Sequence, residues 1–308
     1  MARTRVIIDT DPGVDDAIAI LLALASDELE VLALTTVSGN VNVDRTTLNA
    51  RRLLELAQRP DIPVARGCAE PLVGSRDEAS DVHGRDGLGD LEWDEPTIGE
   101  YPGHAVDLQR ALIEQGPLTI VAIGPLTNLA LLVERYPGID EKVERVVIMG
   151  GASFHGNVTA AAEFNIWFDP EAAERVFAAS WPITLMPLDL THQAVLNDED
   201  LAFLRALGTV VGSRCADMLM PYAAFHEQWY GNRDVIMHDA TAVYELLDPS
   251  AIAKQGVQVA IETAGEHSRG ATVIDRRREF VASDCRVGVD IDNESFVALV
   301  RERLSRYR

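Results

Sequence analysis

Residues 5–16 read RVIIDTDPGVDD. A short β-branched run, Arg5–Asp9, stops at a turn forced by Pro12 and Gly13, and an apolar helical stretch, Asp15–Ala25, follows at once. The same rhythm recurs down the chain. Val31–Val37 precedes Val43–Ala57, Leu118–Ile123 precedes Pro125–Arg135, and Val143–Met149 precedes Pro170–Ala179. Ile183–Leu188 then precedes helical stretches at 198–207 and 212–229. Strand, helix, strand at this spacing predicts parallel βαβ units, hence an α/β fold with an open, mostly parallel sheet, helices on both faces and a Rossmann-like layout. Val257–Glu262, Ala271–Ile274 and Arg286–Val289 read as extra C-terminal strands making the sheet mixed, with antiparallel pairing one option, before a last helix at about 293–305. No Ser-, Gly- or Pro-dominated linker interrupts the pattern, so residues 1–308 are expected to form a single domain.

Composition narrows the partners. The 308 residues are 47% apolar, enough for a large core. A net charge of −22 opposes the counterion release that drives nucleic-acid binding, so no nucleic acid is expected. The longest apolar run, Ala17–Ala25, is about half the ~20 residues of a membrane span, so no membrane partner is expected either. Three distant cysteines suit a reducing compartment, and the basic N-terminus has too short an apolar portion for a secretory core; the expected location is cytoplasmic.

Four aspartates, at 9, 11, 15 and 16, crowd the first strand and turn. One at the helix start is explained by capping and the helix dipole. Four are not, because converging carboxylates raise one another's pKa unless a cation holds them ionised. Oxygen ligands without clustered Cys or His favour Ca²⁺ or Mg²⁺ over zinc. An EF-hand fails, because counting from Asp9 the sixth-position glycine and twelfth-position glutamate are missing. The rival is an aspartyl phosphohydrolase with Asp9 and Asp11 as nucleophile and acid/base, but the loops that follow the strands are poor in Lys and Arg for a phosphate.

Other polar clusters also follow strands, where ligands of open α/β sheets bind. Asn40, in SGN, either fixes a water or carboxylate of the first loop or simply makes a turn. HGRDGLGD, from His83 to Asp90, lacks the strand-before, helix-after context of a dinucleotide fingerprint and reads as an active-site loop or a plain surface loop. Asn157, Glu163 and Asn165, between Met149 and the helix near Pro170, offer donors and acceptors suited to sugar hydroxyls, or caps and turns. Asp239 is either an ordinary N-cap or a further metal ligand, with His238 beside it a proton donor near neutral pH. GxSxG, HExxH and P-loop motifs are absent.

Together, DTDPGVDDAIAILLAL, TTVSGN, HGRDGLG, GPLTNLA, VVIMGGA, the GN…AEFN segment, DPEAA, DLTH and HDA resemble the nucleoside hydrolase family of the inosine–uridine-preferring type, from Arg5 to about Asp248. The resemblance implies hydrolysis of ribonucleosides to ribose and free base, as in nucleoside salvage, by a Ca²⁺-held water activated by Asp11 and oriented by Asn40. It implies Ca²⁺ ligation by Asp11, Asp16, Asp239 and the main-chain carbonyl of Ile123, where the family usually has Thr. Asp15, Asn157, Glu163 and Asn165 would hold the ribose with Met149 packed against it. His238 would be the leaving-group acid and His83 a lid residue near the base. His226 and Tyr230 stand where close relatives often carry two tyrosines around the nucleobase, and HDA replaces the commoner HDP, so base preference stays open between purines and pyrimidines. A non-catalytic nucleoside- or ribose-binding protein is the remaining alternative. A symmetric homo-oligomer, dimer or tetramer, is the default expectation for such a protein.

Overall fold

The computed structural model describes residues 3–277 and 285–308. Twelve strands occur among them: β1 (Thr4–Thr10), β2 (Leu29–Thr36), β3 (Val64–Arg66), β4 (Thr119–Ala122), β5 (Arg145–Met149), β6 (Ile183–Met186), β7 (Val195–Leu196), β8 (Val235–Ile236), β9 (Ile252–Gly256), β10 (Gln258–Ile261), β11 (Thr272–Asp275) and β12 (Cys285–Ile291). Eight of them make one sheet in the order β3-β2-β1-β4-β5-β6-β12-β9. Every pairing in it is parallel except β12 with β9. A mixed, mostly parallel sheet is as expected, but β10 and β11 pair antiparallel with each other in a separate sheet instead of extending it, and the antiparallel strand of the main sheet is β9.

The order reverses direction between β1 and β4, which pair through Asp9 and Ala122 near their carboxyl ends. Such a reversal opens a crevice because the connections leave to opposite faces. The turn RVIIDTDPGVDD therefore empties into that crevice.

Alternation along β1 decides the layers: Val6 and Ile8 join one buried apolar cluster and Ile7 the other. The helix Val14–Leu24 is buried from Val14 through Ala23, which is why its sequence is apolar around nearly its whole circumference. It packs on the helix Ala240–Leu247, bringing the late HDA motif next to the first turn.

Several boundaries differ from the sequence reading. The strand from Ile183 stops at Met186, because Pro187 lacks an N–H for the ladder and instead leads into a short helix, Leu188–Thr191. Strand β3 has three residues, too few for a periodic signal, and the helix Ala105–Ile113 mixes charge into its apolar pattern through Asp107 and Arg110. Strand β9 also had no sequence signal: it is an edge strand, mostly accessible, with Lys254 and Gln255 in place of alternating apolar residues. No helix among the described residues is long and apolar enough to cross a membrane.

Candidate active site

Asp11 leaves β1 into a backbone clasp. Its Oδ2 accepts the Asn40 N–H at 2.7 Å. A Cβ on Gly39 would lie 2.1 Å from Oδ2, and one on Gly124 would lie 2.4 Å from Oδ1, so both neighbouring loops need glycine for the main chain to close onto the carboxylate. Oδ1 is buried with no hydrogen-bond partner. Asp16 is the capping aspartate: its carboxylate accepts the Thr10 hydroxyl at 2.6 Å, the Gly13 N–H at 2.9 Å and the Asn40 side-chain amide at 3.1 Å. Asn40 thus fixes the carboxylates of the first loop, the first of its two readings.

Asp15, Asp16 and Asp239 each present an oxygen within 4.8 Å of the others. Asp239 opens the helix Ala240–Leu247 without any side-chain cap bond, so the N-cap reading does not account for its carboxylate. Burial, then the charges of Asp16 and Asp15, hold Asp11 well above the usual carboxylate range. Burial, then Asp15, Asp16 and Asp11, does the same to Asp239. Asp15 is pushed up to about 8, by burial first and Asp16 second. Burial also raises Asp16, against the bonds from Thr10 and Gly13. The tightest trio contains Asp15 where the resemblance put Asp11, whose Oδ1 is buried without a hydrogen-bond partner. An all-oxygen set, an orphaned carboxylate oxygen and mutual repulsion fit a hard divalent cation.

Above this floor lies a cavity of about 450 Å³. Asp15, Asn40, His83, Ile123, Met149, Asn157, Glu163, Asn165, His226, Tyr230, His238 and Asp239 all line it, which leaves only Asp11 and Asp16, fully buried beneath, of the residues expected there. Glu163 is indeed a helix cap, accepting from Asn165 and Ile166 N–H, and it also takes Gly151 N–H at 2.8 Å; burial pushes it up to about 7. Asn165 donates to the carbonyls of Ile123 and Met149 at 3.2 and 3.1 Å, leaving its own carbonyl for a ligand. Asn157 accepts from Phe164 N–H.

The far end of the cavity is aromatic. Along the helix Val210–Tyr230, Tyr222, Phe225, His226, Trp229 and Tyr230 face the cavity at i, i+3, i+4, i+7 and i+8. That stripe was legible as a helical periodicity, yet Tyr222, Phe225 and Trp229 went unassigned because the same pattern describes any core face. His238 Nδ1 lies 2.8 Å from the hydroxyl of Thr191, a residue of the DLTH motif that has no role in the sequence reading. Burial, then His192, His226 and His83, keeps His238 well below the usual imidazole range.

Asp9 takes no part. It points to the opposite face of the sheet, where its Oδ2 accepts from Thr35, Gln109 and Asn128 at 2.5, 2.7 and 3.0 Å. The expectation that one cation compensates all four aspartates is therefore corrected: Asp9 is held within β1, whereas the strand ends at Thr10 and the turn that follows redirects Asp11 toward the other two.

The profile of the inosine-uridine preferring nucleoside hydrolases matches residues 6–298. The chain belongs to this nucleoside hydrolase family. The match extends past Asp248, where the recognisable motifs end, into the C-terminal strands. A pyrimidine-specific ribonucleoside hydrolase, RihA, of Shewanella woodyi is 43% identical over 98% of both chains. Among solved structures, a plant nucleoside hydrolase, PpNRh1, superposes with a TM-score of 0.94 at 36% identity over 99% of both chains. A purine-preferring ribonucleoside hydrolase from Gardnerella vaginalis gives 0.94 at 31% over 98% of both. As a nucleoside hydrolase the protein cleaves the N-glycosidic bond of ribonucleosides with water. The aspartyl phosphohydrolase loses its nucleophile, Asp9, and its clamp, since among the described residues no Lys or Arg lines the cavity.

Proposed function

We propose that this nucleoside hydrolase acts on pyrimidine ribonucleosides with one Ca²⁺ held by Asp11, Asp16, Asp239 and the Ile123 carbonyl, with Asp15 completing the carboxylate floor. The observation that carries the reading is the buried carboxylate floor opening into a cavity lined by sugar-binding amides and three histidines. Bound there, Ca²⁺ would polarise a water and hold the ribose diol. The 43% identity to a pyrimidine-specific relative supports the base preference. The mouth residues Asp77, Glu78 and Asp81 favour a neutral nucleoside over a charged nucleotide.

Asp11 takes a proton from the attacking water through Oδ1, the carboxylate oxygen left without a hydrogen-bond partner. The water oxygen bonds to C1′ while the C1′–N bond breaks and its electron pair leaves with the base. The imidazolium form of His238, which burial makes the minor form, delivers a proton to that base, and the hydroxyl of Thr191 orients its ring. Carboxylates around the ribose complement the positive charge that grows on the sugar as the bond lengthens. Asn157, Glu163 and Asn165 hold the hydroxyls, so the attack is positioned before it begins. One carboxylate base and a water on the opposite face give inversion at C1′.

The test is ribose release from uridine, cytidine, inosine and adenosine, with and without a Ca²⁺ chelator. Chelator-sensitive release that favours uridine and cytidine is expected. Release indifferent to chelation removes the calcium, and a purine preference removes the pyrimidine reading.

A further inference from the structure

Three histidines line the cavity, and the partner of each Nδ1 dictates what the other ring nitrogen offers a ligand. His83 Nδ1 receives the Val14 N–H at 3.2 Å, so it presents a lone pair there and a neutral ring carries its proton on Nε2. His238 Nδ1 meets a hydroxyl, which donates or accepts as required. His226 differs from both. Its Nδ1 lies 2.9 Å from the main-chain carbonyl of Asp234, and a carbonyl only accepts. The proton of His226 is thereby fixed on Nδ1, and Nε2 is left with a lone pair.

The ring is also immobilised. It is 2% exposed and sits edge-on to Tyr222 and Tyr230, with centroids 4.5 and 5.3 Å away. Burial keeps it neutral, holding its pKa below the ordinary imidazole value. Among the described residues Nε2 has no hydrogen-bond partner, and it is not among the sealed polar atoms as the corresponding nitrogen of His192 is. Its opening is the cavity that His226 lines.

We propose that His226 is a specificity-determining residue acting as a fixed hydrogen-bond acceptor, so that the cavity selects nucleosides whose base presents an N–H donor to Nε2. The inference rests on the nucleoside hydrolase reading of the same cavity. Uracil offers its N3–H and cytosine its exocyclic amine; a base alkylated there leaves a buried lone pair unpaired. A tyrosine at this position would offer a hydroxyl able to donate or accept, and would lack this selectivity.

The experiment compares kcat/KM for uridine and 3-methyluridine in the wild-type enzyme, His226→Phe and His226→Gln. Leaving a buried acceptor unpaired predicts a wild-type preference for uridine of about 100-fold. In His226→Phe, which keeps a ring of similar size but has no acceptor, the ratio falls below about fivefold, mainly because uridine is cleaved more slowly. His226→Gln, whose amide oxygen accepts, keeps the ratio above about tenfold. Refusal of the methyl group on steric grounds alone would persist in His226→Phe and would overturn the proposal. Equal rates on the two substrates in the wild-type enzyme would overturn it without any variant. Failure to release ribose from any nucleoside would instead refute the parent reading.

Discussion

Asp9 and Asp11 stand two residues apart, both wholly buried, and meet opposite fates. Asp9 lies under the sheet, where three donors from Thr35, Gln109 and Asn128 converge on one oxygen. Burial still pushes it up to about 7, against those bonds. Asp11 lies just past the carboxyl end of the same strand, beside a trio of further carboxylates. Each aspartate keeps one buried oxygen without a hydrogen-bond partner, so what separates the two is the negative charge around Asp11. The lesson is that a buried carboxylate surrounded by neutral donors can stand as structure without a counter-charge. A cluster of mutually repelling carboxylates asks for a positive charge that the chain does not contain.

The largest expected effect separates the two directly. Asp11→Asn lowers ribose release by at least about 10³-fold, since a base and a metal ligand go together. Asp9→Asn keeps an oxygen for its three donors and leaves kcat within about tenfold. If the two variants lose activity equally, the contrast collapses.

Next, His238→Ala slows uridine by roughly 10²–10⁴-fold but 4-nitrophenyl riboside by less than about tenfold, because that leaving group needs no proton. Equal losses on both substrates would take His238 out of the acid role and leave the carboxylate floor as the whole of the chemistry.

A smaller effect concerns stability. Asp9 and Asp15 have folded pKa values raised to about 7 and about 8 from 3.8. Below pH 4 both states are protonated and these groups have no effect. Between pH 4 and 8 the unfolded chain releases its protons first, so metal-free protein loses stability as pH rises. Saturating Ca²⁺ should remove the part of that fall due to the carboxylate floor, and its effect on Tm should grow with pH. Asp9→Asn should flatten the part that calcium leaves. A calcium effect on Tm that shrinks as pH rises would contradict this division.

The smallest is at Thr191. Thr191→Val, which keeps shape but removes the hydroxyl, should lower kcat on uridine about fivefold with little change in KM, and Thr191→Ser should restore it. Equal defects in both variants would mean that Thr191 only packs.

Much of this was legible in the sequence because it is local. RVIIDTDPGVDD encodes strand, turn, helix and carboxylates in twelve residues, and repetition of the unit gives the sheet. What was hidden depends on direction or distance. Nothing in the spacing says that Asp9 faces Gln109, a hundred residues away, rather than the crevice. Glu163, Asp239 and Asn40 each had a bland local explanation, and only their shared cavity separates capping from ligand contact. The Nδ1 partners of the histidines lie in three different loops and helices, so no motif could reveal which ring is locked and which is free.

The most direct test of the account is calorimetric titration of metal-free protein with Ca²⁺, in the wild type, Asp9→Asn and Asp11→Asn. One calcium per chain is predicted, with Asp9→Asn binding as the wild type does and Asp11→Asn weakened at least about 100-fold. Equal binding by all three, or none by the wild type, would contradict the claim that the carboxylates at the carboxyl end of β1 exist to hold a cation.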